Sequence, residues 1–183
     1  MAKSDIKRVL GSIRRADEKF GMIEDGDKVA VGISGGKDSL MLLFALSIYK
    51  KFSKKNFQIV AITVDLGFRP YDLSPIQEFC EKLGVQYKVV SSEIGNVVFN
   101  VRKEKNPCAL CANMRRGALN NAAKEFSCNK VALAHHRDDA IETLLMSLFL
   151  ESRMNTFAPV TYLSRIDLKV IRPFIYVPEE IIS

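Results

Sequence analysis

The chain has 183 residues, 48% of them hydrophobic and 26% charged, with a net charge of +6. That length suits a single domain, residues 1–183, with its own core, and the composition is that of a globular protein, not a disordered or fibrous one. No apolar stretch reaches the roughly 18 residues that a membrane span needs, and the first five residues, Met-Ala-Lys-Ser-Asp, lack a signal peptide's apolar segment, so a cytoplasmic location with no membrane contact is expected.

Residues 1–24 read as an N-terminal helix capped by Ser4, with Ile6, Val9, Leu10 and Ile13 on one face. A first strand over about 28–33 runs into Ser34-Gly-Gly-Lys-Asp-Ser39, and a helix follows from about 38 to 51. A strand that feeds a glycine turn opening a helix is a way to hold phosphate: backbone N–H groups converge on the anion, and the helix dipole favours it. Gly35 and Gly36 permit close backbone approach. The turn is not a Walker A loop, because Val31 and Asp38 stand where that loop needs Gly and Ser or Thr. Phe57 to Val64 is a nearly unbroken apolar strand of the kind buried on both faces of a parallel sheet. Ser74-Pro75 supplies a cap and a first-turn proline for a short helix ending before Gly84.

A strand over 86–90, a polar stretch over 91–107 and a helix from about 109 to 126 come next, then a strand over 130–134 and a helix over 138–150. Val160 to Leu163 and Leu168 to Ile171 read as strands that pair as a hairpin or extend the sheet. This alternation predicts an α/β fold with a doubly wound, Rossmann-like parallel sheet. The last residues, Val177 to Ser183, look like the start of a helix without a C-cap, so the chain is expected to be a C-terminally truncated piece.

Three further features carry chemistry. His135-His-Arg-Asp-Asp139 follows the fourth strand, where a doubly wound sheet binds ligands, and brings both histidines of the chain to the same crevice as the glycine turn. Asp138 and Asp139 equally suit helix capping. Cys108 and Cys111, three positions apart, can share one metal or cluster, whereas Cys80 and Cys128 sit in apolar patterns as core residues. Residues 101–130 hold seven basic side chains (Arg102, Lys103, Lys105, Arg115, Arg116, Lys124 and Lys130) against two acids, a surface suited to a polyanion.

The turn at 34–39 resembles the PP-loop of the ATP pyrophosphatases, which split ATP between its α and β phosphates. With Cys108-x-x-Cys111 followed by Arg115-Arg-Gly117, the His135–Asp139 run and Ile171-Arg-Pro-Phe-Ile-Tyr-Val177, the order resembles that of the tRNA 2-thiocytidine synthetases over residues 25–178. Ala134 stands where that family usually has Gly. The resemblance implies a fold of the adenine nucleotide alpha hydrolase type and an enzyme using ATP and Mg²⁺ to adenylate the C2 oxygen of a tRNA cytidine, which sulfur then replaces. It implies catalytic roles for Asp38, Asp138, Asp139 and Arg116, with Mg²⁺ on Asp38. Nucleotide contacts fall to Ser34, Gly35, Gly36, Lys37, Asp38, Ser39, Asp65 and His135, and to Val64, whose backbone reads adenine. Cys108 and Cys111 would be two of three cysteine ligands of a 4Fe-4S cluster, the third lying past Ser183. tRNA and a sulfur donor or carrier are the expected partners, together with a homodimer. Competing readings are a PP-loop sulfurtransferase acting on uridine or a small carrier, an amidating relative such as a lysidine synthetase, and a nucleotide-binding module without chemistry.

Overall fold

The strand over Lys28–Gly32 (β1) alternates in a way that fixes the layers. Val29 and Val31 enter one hydrophobic cluster and Ala30 enters another on the opposite face. Successive strand residues point to opposite faces, so a strand apolar at every position must be covered twice. In the computed structural model, which describes residues 3–68, 72–101 and 106–182, β1 lies inside a six-stranded sheet. The other strands are β2 (Gln58–Asp65), β3 (Gln86–Ser91), β4 (Lys130–Ala132), β5 (Val160–Leu163) and β6 (Leu168–Ile171). Their order is β3-β2-β1-β4-β6-β5, all parallel except β5, which pairs antiparallel with β6. The last two strands therefore form a hairpin and extend the sheet at once.

Helices α1 (Lys3–Phe20), α2 (Lys37–Phe52) and α3 (Ser74–Leu83) contribute to the first cluster, which includes Val9, Ile13, Leu42, Leu46 and Cys80. Helix α5 (Pro107–Glu125) covers the other face through Leu119, Ala122 and Ala123. Gly32 leaves room for it: a Cβ there would lie 2.8 Å from a methyl of Leu119. Helix α6 (Arg137–Glu151) follows β4. No helix among the described residues is long and apolar enough to cross a membrane.

Local corrections concern caps and one segment. Ser4 lies inside the first turn of α1, where its hydroxyl reaches Asp5, and does not cap it. Leu73, not Ser74, precedes α3, and the Asp72 carboxylate accepts the Ser74 N–H at 2.9 Å. Gly84 ends α3 in the left-handed region, while the Val85 N–H reaches back to the Cys80 carbonyl at 2.9 Å. The expected polar stretch holds instead a helical turn α4 (Ile94–Asn96) continuing into a π-helical turn, Val97–Val101, because Ile94 and Val98 are buried. The chain's last turn is a 3₁₀ turn, Glu179–Ile181.

Two ion-pair centres tie loops to the core. The Asp17 carboxylate accepts from the Tyr49 hydroxyl, the Lys55 ammonium and the Ile23 N–H. Lys130, counted above as a surface cation, is 1% exposed and holds Asp27 at 2.7 Å and Glu24 at 2.9 Å. Arg102, Lys103 and Lys105 lie outside the described residues. Asp27 opposes the cost of its own burial with hydrogen bonds from Lys130, the Glu24 N–H and Asn129, and its pKa falls below the ordinary carboxylate value.

Removing Lys130 strands a buried carboxylate, so Lys130→Met is expected to lower unfolding free energy by about 3 kcal/mol in urea titration. A depressed folded-state pKa gives stability that is complete above the unfolded value and is lost as pH falls through the folded one. The parent's share from Asp27 is thus held down to about pH 4 and lost below it. Lys130→Met should show less of that acid-side loss, and equal acid sensitivity would refute the assignment.

Candidate functional site

The end of β1 opens where the strand order reverses, with β2 on one side and β4 on the other. Connections leave such a point in opposite directions and create a crevice beyond the strand ends. Here it is a cavity of about 1130 Å³, reaching from α3 and the tip of β2 to the β5–β6 hairpin, with α5 as one wall.

The turn between β1 and α2 keeps its shape through its own side chains. Gly35 has φ +84°, a conformation that favours glycine. The Ser39 hydroxyl accepts the Ser34 N–H at 3.2 Å and donates to the Gly36 carbonyl at 2.9 Å, while the Ser34 hydroxyl donates to Ser39 and accepts the Gly36 N–H. Both hydroxyls expected to touch a ligand are engaged within the loop, although both residues line the cavity. Gly36 caps α2, whose first-turn N–H groups have no intrahelical acceptor. Asp38 also lines the cavity, and its Oδ1 is sealed from solvent without a hydrogen-bond partner among the described residues. A buried, unpartnered carboxylate oxygen is a hard anionic donor, which fits Mg²⁺. Lys37 turns instead toward Glu179, with Nζ 3.2 Å from Oε1.

At the tip of β2, Val64 and Asp65 line the cavity. Asp65 shapes the following turn: its carboxylate accepts the Gly67 N–H at 3.0 Å, and its carbonyl accepts the Ser92 hydroxyl at 2.6 Å. Arg115 and Arg116 line the α5 wall together with Asn120, which the motifs did not single out.

Beyond β4 the acidic pair separates. Asp139 and His136 form a reciprocal cap: the His136 N–H donates to Oδ2 at 2.8 Å, and the Asp139 N–H donates to Nδ1 at 3.3 Å. Asp139 still lines the cavity, with Oδ1 free of hydrogen bonds among the described residues. Asp138 does not line it. Its carboxylate accepts the Glu179 N–H at 2.7 Å and pairs with Arg137, and that backbone bond chiefly holds its pKa low. His135 lines the rim, where desolvation first and the Arg172 charge second push its pKa down and favour the neutral ring.

Arg172 and Phe157 also line the cavity, and no role was assigned to them from sequence. Arg172 stood within the Ile171-Arg-Pro-Phe motif, a usable signal, whereas nothing in the sequence flagged Phe157.

Cys108 and Cys111 are free thiols on the first turns of α5, one exposed and one half-buried, a turn before the lining residues Ala112 and Arg115. Two soft thiolate donors suit two corners of an iron–sulfur site. Among the described residues no group of three metal-binding side chains forms. Cys80 and Cys128 are buried, and burial raises both thiol pKa values, that of Cys80 to about 11. They are core residues, as the apolar patterns indicated.

The chain matches the PP-loop domain family over residues 6–183. It is 37% identical over 95% of its length to a tRNA-cytidine(32) 2-sulfurtransferase of Geotalea daltonii, of which it covers 69%. A Vibrio cholerae enzyme of the same name is 38% identical over 95% of the chain, which spans 56% of that relative. Among solved structures, the U34-tRNA thiolase NcsA from Methanococcus maripaludis, with its [4Fe-4S] cluster, superposes with a TM-score of 0.78 at 27% identity. That likeness covers 97% of this chain and 61% of the thiolase. An NH3-dependent NAD synthetase from Campylobacter jejuni shares the fold, with a TM-score of 0.57 at 16% identity over 97% of this chain and 70% of its own. Identity at that level across nearly the whole chain, on a PP-loop scaffold, leaves one assignment: the chain belongs to the PP-loop family of the tRNA-cytidine(32) 2-sulfurtransferases.

Proposed function

We propose that this chain binds ATP across the cavity and activates the C2 oxygen of a tRNA cytidine for replacement by sulfur. The observation that carries the reading is the unpartnered Asp38 carboxylate oxygen beside a glycine turn at the sheet's reversal point. A PP-loop family match and relatives named for cytidine thiolation support it. The thiolase likeness favours uridine as the second reading, but its 27% identity is weaker than 37% to the cytidine enzymes.

In this reading the first-turn amides of α2 hold the pyrophosphate end of ATP. Adenosine lies toward Val64 and Asp65, the Val64 backbone reading adenine. The base oxygen attacks the α-phosphorus, the bond to the bridging oxygen breaks, and pyrophosphate leaves. A sulfide-level donor then attacks C2, and AMP departs with the original oxygen. Attack by a neutral cytosine oxygen makes the base cationic, and the free Asp139 oxygen stabilises that charge. Arg116 meets the phosphoryl charge from the opposite wall. Asp138 anchors the 3₁₀ turn and so positions the start of α6. Mg²⁺ held by Asp38 would neutralise phosphate charge. A cluster held by Cys108, Cys111 and a donor from outside the described residues would supply the sulfur-transfer chemistry, replenished by a sulfur donor or carrier. A homodimer belongs to the same reading, supported by the exposed apolar residues Ile141, Leu145, Leu148 and Phe149 of α6.

With tRNA and Mg·ATP the products should be AMP and pyrophosphate, whereas ADP and phosphate would reject the reading. Asp38→Ala should weaken Mg·ATP binding at least about tenfold, roughly 1.4 kcal/mol, by calorimetry. Asp139→Asn should slow AMP formation about 100-fold while moving ATP affinity by less than about threefold.

After anaerobic reconstitution, Cys108→Ser and Cys111→Ser should each lose most bound iron and sulfide, and Cys80→Ser should keep them. Tightly held zinc in place of iron would point to a structural site.

Light scattering at micromolar concentration should give the dimer mass. A monomer at every concentration tested would remove the dimer from the account.

A further inference from the structure

One polar side chain on the cavity wall has no use in the fold. Asn120 lies within α5, between Leu119 and the pair Ala122 and Ala123, which pack on the sheet. It is 8% exposed, and its side-chain amide makes no hydrogen bond among the described residues. The amide atoms are not sealed off, as Arg172 Nε is, and the residue lines the cavity, so the amide faces its open space. An amide withdrawn from water without a partner is costly, and asparagine is a weaker helix former than leucine or alanine. Packing and propensity both favour an apolar residue here, so the use of the amide lies in what enters the cavity.

Helix spacing shows which part of the cavity it serves. Arg116, Asn120 and Lys124 are four apart and share one stripe of α5. Lys124 Nζ donates to the Asp167 carbonyl in the β5–β6 turn at 3.1 Å, so the stripe borders the hairpin. On the sheet, Thr161 and Val170 are cross-strand partners, and Val170 also pairs with Val131. Leu163 and Leu133 come two residues after Thr161 and Val131 and lie on the same face. Leu119, Leu133, Leu163 and Val170 give this recess apolar walls, with the Asn120 amide at its edge. The Thr161 hydroxyl is already engaged by Arg172 Nη1 at 3.3 Å.

Such a recess suits a flat heterocycle that is apolar on its faces and polar along one edge. A side-chain amide offers a donor beside an acceptor, and cytosine presents the complement, its N4 amino group beside N3. Pairing along that edge leaves the C2 oxygen, on the other side of N3, open to reaction. The cavity of about 1130 Å³ exceeds the roughly 300–1,000 Å³ usual for one small-molecule site. The recess lies on the β4–β6–β5 side of the β1 exit, whereas Val64 and Asp65 lie on the β2 side, so a base and a nucleotide fit without overlap.

We propose that Asn120 holds the target cytosine by its N3–N4 edge, in the recess between α5 and the β5–β6 hairpin. This assignment rests on the cytidine reading of the cavity. Nδ2 donates to N3, and Oδ1 accepts from the N4 amino group. When the C2 oxygen bonds to the α-phosphorus, the base gains positive charge and its N4–H becomes a stronger donor, so the contact tightens in the transition state. Turned over, the amide also meets the edge of uracil. What Asn120 demands is therefore a hydrogen-bonding group at position 4 of the pyrimidine.

AMP formation should be measured with anticodon stem–loop RNAs carrying, at the target position, cytidine or its analogue without the 4-amino group, pyrimidin-2-one ribonucleoside. The proteins are the parent, Asn120→Leu and Asn120→Ala, of which the first fills the position and the second leaves it open. The parent should favour cytidine at least about tenfold in kcat/KM, because a site built to bond a group rejects the analogue that lacks it. Both variants should favour it by less than about twofold, through loss of rate with the cytidine RNA. Their Mg·ATP affinity should stay within about twofold of the parent's, which a general loss of structure would not allow. Equal slowing of both RNAs in Asn120→Ala, with the preference intact, would make the position structural and overturn the contact. A parent that uses the two RNAs alike, or variants that behave as the parent does, would overturn it too. A tenfold loss of Mg·ATP affinity in both variants would assign the amide to the nucleotide, ending this proposal while the ATP reading stands. A parent that forms no AMP with the cytidine RNA overturns the cytidine reading, and this contact with it.

Discussion

The Ser34–Ser39 contact governs how the turn after β1 is presented to the crevice. By accepting the Ser34 N–H and donating to the Gly36 carbonyl, the Ser39 hydroxyl holds a backbone that passes through the left-handed region at Gly35. The loop uses its hydroxyls within itself and leaves Oδ1 of Asp38 without a partner among the described residues. Amides and one carboxylate, preorganised by the fold, are what a magnesium-bound pyrophosphate requires. β1 makes this possible by being buried on both faces between β2 and β4, so that its exit point cannot drift.

A second consequence is the division of charge around the crevice. Two cations that sequence alone would aim at a ligand or a polyanion are used elsewhere: Lys130 lies in the core with Asp27, and Lys37 pairs with Glu179. Glu179 is held from two sides, because its N–H also meets the Asp138 carboxylate. The 3₁₀ turn at 179–181 therefore couples the starts of α2 and α6, which flank the site. The arginines that remain at the cavity come from α5 and from beyond β6, and Asp38, Asp65 and Asp139 line the same space.

The fold was legible in the sequence because its cues are local and agree with one another. The apolar run at 57–64, the glycine turn and the alternation of strands with helices each predict a doubly wound sheet, and the strands fall within a residue or two of their expected places. The cap expected at Ser74 falls one residue earlier, at Leu73, and the Asp72 carboxylate takes the Ser74 N–H. The turns at 94–101 were missed because the segment was read as polar although it holds Ile94 and the run Val97-Val98-Phe99, of which Ile94 and Val98 are buried by tertiary packing. At the site, the contiguous motif at 34–39 and the run at 135–139 were readable as units. Which aspartate reaches the cavity was not, because it depends on Glu179, some 40 residues away. Arg172 and Phe157 meet beside the β5–β6 hairpin, whose strands the sequence did indicate, but no local pattern marks Phe157 as facing the cavity.

Nucleoside mass spectrometry of tRNA, incubated with the anaerobically reconstituted protein, Mg·ATP and sulfide, tests the central claim most directly. The account predicts 2-thiocytidine that appears only when ATP is present. Formation of 2-thiouridine with cytidine untouched, or sulfur incorporation that does not need ATP, would contradict it.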